Sequence, residues 1–302
     1  MVFETASITL PIWLPLLWGV LVGLVFSTVG AAGGILASVG LISVMGVQDP
    51  NLVKAMAQAL TLATPLIAVS GYYRQCRVVV SLAVILGAGS ILGALIGSTL
   101  SVSYLADLKI FRPVFGVLVL VIALQIIWQL LSQNRQTGTH AGRAAAAFEG
   151  LVHDGGSPCA IGVRHLQYSV RRILFEFGGE QFSYPPWLPF LAGTGIATVS
   201  SALGVGGGFL LVPFMTILLG LPMFIVAGTA ALAIAVSSMT SIANYMRLGI
   251  ELDIPLLLLL LAGTLAGAWT GPRLSRHLHE RWLQGILCLV LLLIGLRYLG
   301  VF

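Results

Sequence analysis

Charged residues are scarce in this sequence. Asp, Glu, Lys and Arg make up 8% of its 302 residues, and 58% of the chain is hydrophobic, whereas a typical soluble domain is about 25% charged. This small number of charges could not cover the surface of a soluble globule, which excludes a soluble enzyme. The net charge of +5 comes from basic residues in short connectors, which is typical of membrane proteins rather than of nucleic-acid binding.

Cysteine is also scarce, and its positions exclude a secreted disulfide scaffold. The three cysteines, Cys76, Cys159 and Cys288, are widely separated. His153 and His165 flank Cys159, but the spacing matches no standard zinc site. No nucleophile–base pair or metal constellation is visible, so we expect no enzymatic activity, no metal and no cofactor.

Long stretches without charge predict an all-α, polytopic membrane protein, because a spanning helix needs about 20 apolar residues and lipid offers no partner for free backbone groups. Full spans are predicted near 50–73, 78–102, 110–131, 222–246, 253–275 and 281–300. The stretches 11–46 and 187–220 are too long for one helix, and a glycine cluster interrupts each of them. No basic region precedes the first stretch, so we expect it to be retained rather than cleaved.

The two halves of the chain match at an offset of 174 residues. The run STVGAAGG at 27–34 aligns with SALGVGGG at 201–208, and Gly46 and Gly89 align with Gly220 and Gly263. Common order and spacing indicate a duplication, a frequent construction of secondary transporters. We therefore predict a first membrane repeat at 1–131, a connector at 132–186 and a second repeat at 187–302. Each repeat is expected to contain a glycine-broken re-entrant helix pair and three spanning helices.

The distribution of basic residues predicts that the repeats are inverted. With three crossings per half, ten of the 15 basic residues lie on the side of the connector and five on the other, whereas four crossings would divide them nine and six. The inverted arrangement follows the positive-inside rule better. We therefore expect a multi-pass protein of the plasma membrane, with a cytoplasmic connector and both termini outside.

The connector has two parts with different composition. The first, 136–162, is rich in Gly, Ala, Ser and Thr and indicates a flexible linker. The second has β-branched and aromatic residues at 168–177 and 180–184 around Gly178-Gly179. This pattern predicts a short β-hairpin, and a short amphipathic helix on the membrane surface is the alternative.

The two glycine clusters are the best candidates for a binding site. A chain reversal inside the bilayer starts a helix there, and its first four N–H groups have no intrahelical partner and carry positive dipole charge. Glycines let an anion approach such groups closely. No Lys-Ser/Thr follows, so a nucleotide loop is excluded. The candidate residues are Gly30, Gly33, Gly34, Gly204, Gly206, Gly207 and Gly208.

Helix packing is the alternative role for glycine in a membrane. We prefer that role for the scattered Gly19, Gly23, Gly116 and Gly295. The spans contain no Asp or Glu for a cation, and we expect no charge of either sign in the interior.

Polar side chains near the breaks are expected to complete the site. The candidates are Ser27, Ser201, Gln58, Thr61, Thr229, Ser237 and Asn244. A Ser or Thr could instead bond the carbonyl four residues earlier in its own helix. Gln58 and Asn244 are the stronger candidates, because this local bond is less available to them.

The second half resembles a known family. The run GVGGGFLLVP at 204–213, followed by GLP at 220–222 and AGT at 227–229, is similar to the sulfite exporter TauE/SafE family of permeases. The first half departs from the motif, with Val39 in place of Pro213 and Gln48-Asp49-Pro50 in place of Gly-Leu-Pro. The resemblance implies transport of small sulfur-containing anions such as sulfite, sulfoacetate and related organosulfonates.

The sequence thus predicts a secondary transporter of a small anion, and the resemblance implies that this anion contains sulfur. A channel-like anion facilitator without obligate coupling is the alternative. The expected partners are the anionic substrate and the lipid bilayer, with no nucleic acid. Whether the chain forms a homo-oligomer is left open by the sequence.

Overall fold

A computed structural model describes residues 1–29, 33–132, 140–153, 159, 162–169, 171–275 and 280–300. The first half consists of a short hairpin of β1 and β2 and five helices. Their bounds are β1 Val2–Phe3, β2 Ile8–Thr9, α1 Trp13–Val29, α2 Gly33–Val39, α3 Pro50–Arg74, α4 Val80–Tyr104 and α5 Leu108–Ser132. Helix α2 continues into a five-residue π-helical turn, Gly40–Val44.

The connector and the second half follow in the same chain order. The connector contains α6 His140–His153, β3 Arg164–Tyr168, β4 Ile173–Phe177 and β5 Glu180–Tyr184. The second half contains α7 Trp187–Leu203, α8 Gly208–Pro213, α9 Met223–Arg247, α10 Ile254–Ser275 and α11 Glu280–Tyr298. Helix α8 continues into a π-helical turn, Phe214–Leu218.

These helices confirm the prediction of a helical membrane protein. Among the described residues, four helical segments are long and apolar enough to cross a membrane: 50–74, 80–104, 108–128 and 223–247. The described apolar parts of α10 and α11 are shorter, at Ile254–Thr270 and Leu287–Tyr298.

Corresponding elements of the two halves have similar lengths and positions. Helices α1 and α7 each have 17 residues, and α3 and α9 each have 25. The two π-helical turns have five residues each and begin at Gly40 and Phe214, which is the offset of 174 seen in the sequence. One difference is at the start of α3, where the Asp49 side chain accepts from the Asn51 N–H at 2.8 Å and caps the helix.

The halves interlock through glycines. Helix α4 packs along α7 of the other half, and α1 packs along α10. At Gly89, Gly93 and Gly97 of α4, an added Cβ would collide with backbone carbonyl oxygens of α7. Gly19 and Gly23 meet the backbone of α10 in the same way. Much of the glycine excess therefore permits close helix contact, as predicted for Gly19 and Gly23.

Gly116 of α5 and Gly295 of α11 also lie at a helix contact. The position of an added Cβ on Gly116 is 3.1 Å from the Gly295 carbonyl oxygen, and one on Gly295 is 3.2 Å from the Gly116 carbonyl oxygen. This confirms the packing role predicted for these two glycines.

The N-terminal hairpin and the described end of α11 lie at one end of the helix bundle, called here the terminal end. The Ala6 N–H donates to Asp253 before α10 at 3.1 Å, and Ser43 Oγ is 2.6 Å from Tyr298 Oη in α11. Asn244, near the end of α9, donates to Ser98 near the end of α4 at 2.6 Å.

The opposite, connector end gathers the loop after α3, the connector and the start of α9. Arg77 donates to the Phe224 carbonyl at 3.1 Å, and Ser81 Oγ is 2.8 Å from Tyr184 Oη. A disulfide joins Cys76 to Cys159 of the connector. The sequence did not indicate this pairing.

The connector is more structured than its composition suggested. The flexible-linker prediction was wrong for 140–153, which forms α6 because its alanine-rich sequence favours helix and buries Ala144 and Phe148. The aromatic segments form antiparallel β4 and β5 on either side of Gly178-Gly179, and β3 pairs with β4. Phe175 and Phe177 are fully buried against the helices.

Candidate functional site

The two glycine breaks meet each other inside the helix bundle. Helix α7 ends at Leu203, and Gly204 and Gly206 turn the chain with φ of +70° and +71°, which L residues with side chains rarely adopt. An added Cβ on Gly34 would collide with the Val205 carbonyl group and lie 2.8 Å from Thr61 Oγ1. One on Gly206 would collide with the Thr61 methyl group. We call Gly34, Thr61, Val205 and Gly206 the glycine junction.

The other predicted glycines that the structure describes lie beside this junction. Gly33 starts α2 and packs against Phe26, Gly207 precedes α8, and Gly208 is its first residue. Gly30 lies outside the described residues. Ser27 belongs to the last turn of α1.

The carboxyl end of α7 presents carbonyl groups beyond the regular helical ladder, and that of Ser200 also accepts from the Gly204 and Val205 N–H groups. Four side chains from other elements donate to them: Gln58 to Ser200 at 3.0 Å, Tyr245 to Ser201 at 2.8 Å, Ser101 to Ala202 at 2.8 Å and Ser38 to Gly204 at 3.3 Å. These bonds supply partners that lipid lacks, and they hold the second break in place.

The side-chain amides of Gln58 and Asn244, the stronger candidates from the sequence, form hydrogen bonds within the protein. Gln58 donates to the Ser200 carbonyl and accepts from Ser238 Oγ at 2.9 Å. Asn244 donates to Ser98 Oγ at 2.6 Å and to Thr99 Oγ1 at 3.1 Å. In this conformation both side chains tie helices together.

The two threonines also have partners. Thr61 Oγ1 donates to the Ala57 carbonyl at 2.8 Å, which is the local bond considered as the alternative, although the side chain still lies at the glycine junction. Thr229 Oγ1 accepts from the Val79 N–H at 3.1 Å and connects the start of α9 to the start of α4.

A set of buried serine hydroxyls has no hydrogen-bond partner among the described residues. The set comprises Ser200, Ser201, Ser237 and Ser241, and each side chain is at most 4% exposed. The Ser200 hydroxyl lies 3.9 Å from the position of an added Cβ on Gly207, so it faces the break. Buried polar groups in native proteins are nearly always satisfied, so these hydroxyls indicate a place for a polar ligand or water. We call them the unpaired serines.

The expectation of an interior without charge was wrong at Lys54. This side chain is fully buried one turn before Gln58 on α3, and its Cα lies 2.6 Å from the position of an added Cβ on Gly204. Sequence reasoning had counted Lys54 among the five basic residues on the side opposite the connector, although it lies within the predicted span 50–73. Its spacing from Gln58 and Thr61, four and seven residues, could have placed all three on one helix face.

Comparison with known proteins finds a matching family model and a curated relative. The family model described as sulfite exporter TauE/SafE matches residues 15–298. The "Probable membrane transporter protein YunE" of Bacillus subtilis (strain 168) is 26% identical over 298 residues, which cover 94% of this chain and 96% of that protein. No solved structure matches the chain. Since the family model spans almost every residue, including both glycine breaks, the chain belongs to the sulfite exporter TauE/SafE family of membrane transporters, which are permeases and not enzymes.

Proposed function

We propose that this protein is a secondary transporter that moves a small sulfur oxyanion or organosulfonate, such as sulfite or sulfoacetate, by alternating access. The observation that carries the proposal is the meeting of the two glycine breaks, with the unpaired Ser200 hydroxyl facing the second break. Membership of the family supports a substrate that contains sulfur, and the geometry of the site supports a substrate with negative charge.

The glycine junction has the chemistry of an anion site. The N–H groups of Gly206 and Gly207 donate to no other backbone group of the described residues. The helical segments 33–44 and 208–218 start beside the junction, so the positive ends of their dipoles lie there. The unpaired serines add hydroxyl donors. Among the described residues the buried carboxylate is Asp253, which caps α10 at the terminal end, so no carboxylate at the junction offers a cation a ligand.

We further propose that the halves 1–131 and 187–302 are inverted repeats. The equal lengths of their corresponding helices, the equivalent π-helical turns and the reciprocal packing of α4 on α7 and of α10 on α1 support this arrangement. Two such halves around one junction provide the symmetry that alternating access requires.

We place the protein in the plasma membrane, with the connector end in the cytoplasm. The connector end carries the larger share of basic residues, and the location of the N-terminal hairpin and of the described end of α11 at the opposite end agrees with an odd number of crossings per half.

Reconstitution into proteoliposomes with radiolabelled sulfite and sulfonates tests the function. We expect saturable uptake of at least one of these anions, with accumulation above the external concentration when a membrane potential or pH gradient is imposed. Uptake that only equilibrates the anion would indicate the channel-like facilitator. Absence of uptake for every small anion tested would refute the proposed function.

A further inference from the structure

Lys54 is a buried basic side chain that makes no direct ion pair with a described carboxylate, although the Asp49 carboxylate acts on it at longer range. Its side chain is fully buried, and among the described residues it is the only basic side chain in the interior. The ammonium group donates to Ser101 Oγ and to the Leu105 carbonyl at 2.9 Å, and lies 5.0 Å from the centre of the Phe111 ring. An ionisable side chain inside a membrane is costly to retain, and such residues usually mark the path of a substrate or ion.

The fold does not need this charge to complete α7. Four neutral side chains already donate to the carbonyls at the end of α7, and the Lys54 ammonium donates to none of them. At the offset of 174 the second half has Gly228, so α9 forms without a lysine at this position. Lys54 caps the carboxyl end of α4 through the Leu105 carbonyl, a task that neutral side chains perform at the end of α7.

The present partners of the ammonium group are ones that an anion can replace. Its direct contacts are a hydroxyl, a carbonyl and an aromatic ring, and the Asp49 carboxylate acts on its charge only at longer range. Hydrogen bonds between an ammonium group and an anion are about twice as strong as neutral ones. The present bonds already have an ionised donor, so what an anion beside Lys54 adds is the attraction between opposite charges.

Lys54 lies between the glycine junction and the surface. Its backbone contacts Gly204 at the second break, and its ammonium group bonds Leu105, the residue before the loop 106–108. Residues 106–108 line an open pocket of about 670 Å³ at the terminal end, together with Gln48, Lys109 and Arg112. The pocket lining thus carries two basic side chains and the Asp107 carboxylate, and Lys54 is buried next to Leu105, between this pocket and the junction.

We propose that Lys54 forms a second anion subsite, which the transported anion occupies between the pocket at the terminal end and the glycine junction. The inference rests on the proposed function and deepens it, because it names the side chain that selects for negative charge. The anion enters past Lys109 and Arg112, exchanges for Leu105 or Ser101 at the ammonium group, and then moves to the junction.

Transport kinetics of Lys54→Met and Lys54→Arg in proteoliposomes test the proposal, with radiolabelled sulfite supplied at the terminal end. Loss of a charged hydrogen bond of about 1.5 kcal/mol corresponds to about tenfold in affinity. We expect Lys54→Met to raise the half-saturating sulfite concentration about tenfold or more, and Lys54→Arg to remain within about threefold of wild type.

An exposed pair of variants keeps the test valid if the buried substitution prevents folding. Arg112→Gln removes a charge from the pocket, and Arg247→Gln removes one at the same end outside the pocket-lining residues. At low ionic strength a surface charge near the anion contributes about 0.5–1 kcal/mol. Arg112→Gln should therefore raise the half-saturating concentration about 2- to 5-fold from the terminal end, and Arg247→Gln should leave it unchanged.

The outcomes separate this inference from the proposed function. Wild-type transport together with an unchanged half-saturating concentration in folded Lys54→Met overturns the subsite alone. Equal effects of Arg112→Gln and Arg247→Gln also overturn it. If the wild-type protein transports no small anion, the proposed function fails and the subsite fails with it.

Discussion

Ser237 and Ser238 of α9 provide a matched test of the candidate site. They are neighbours on one helix, and both side chains are at most 4% exposed. The Ser238 hydroxyl donates to Gln58, whereas the Ser237 hydroxyl has no partner among the described residues. If unpaired hydroxyls bind the anion and paired hydroxyls stabilise the fold, Ser237→Ala should weaken transport and leave stability unchanged. Ser238→Ala should lower stability and leave transport unchanged.

The structure gives the expected magnitudes. A hydrogen bond from Ser237 to a charged substrate contributes about 1.5 kcal/mol, so Ser237→Ala should raise the half-saturating anion concentration about tenfold. Stability should not fall, because no bond within the protein is lost. Ser238→Ala should lower the free energy of unfolding by about 0.6–1.7 kcal/mol, the usual range for a bond between membrane helices. Its half-saturating concentration should stay close to that of wild type.

Two measurements on the same preparations decide the result. Uptake of radiolabelled anion by proteoliposomes gives the half-saturating concentration, and thermal unfolding in detergent, followed by size-exclusion chromatography, gives the stability. Unchanged transport by Ser237→Ala for every transported anion would refute the assignment of the unpaired serines to the site. Equal behaviour of the two variants would refute the distinction between paired and unpaired hydroxyls.

Three further predictions concern the breaks and the connector. Gly34→Ala should prevent correct folding because its methyl group meets backbone, whereas Gly207→Ala, with its nearest contact at 3.4 Å, should fold and transport weakly; equal yields of the two folded variants in size-exclusion chromatography would contradict this. If the connector is cytoplasmic, Cys76 and Cys159 should be thiols in growing cells and pair on oxidation; alkylation trapping that finds them paired in growing cells would place the connector outside. The pKa of Glu180 lies below its usual range because the side chains of two α6 residues donate hydrogen bonds to it. Its contact with α6 should persist at neutral pH, disappear as pH falls through that lowered pKa, and be absent in Glu180→Gln, as hydrogen exchange of α6 can check.

Local sequence features predicted the helices and the break positions well. Predicted spans such as 50–73 and 222–246 differ from α3 and α9 by one residue at each end or less. The reason is physical: lipid satisfies no backbone group, so an apolar run of this length must be helical. The glycine clusters were also visible, because few other residues allow such a reversal.

The roles of individual polar side chains could not be predicted in the same way. Gln58 was expected to hold substrate, and in this conformation it caps α7 and accepts from Ser238, 180 residues away in sequence. The helix at 140–153 and the pairing of Cys76 with Cys159 also depend on contacts between distant segments. Composition alone does not contain such contacts.

The sequence by itself determined the class of the protein and the construction of its breaks, since apolar length, glycine spacing and the distribution of charge are local properties of the chain. Tertiary structure alone decided which polar groups remain free. The interlocking of α4 with α7 and of α1 with α10 assigns Gln58 and Asn244 to other helices, leaves the serines unpaired beside the break, and buries Lys54 next to it. A hydrogen bond requires two partners in contact, and here the partners come from opposite halves of the chain.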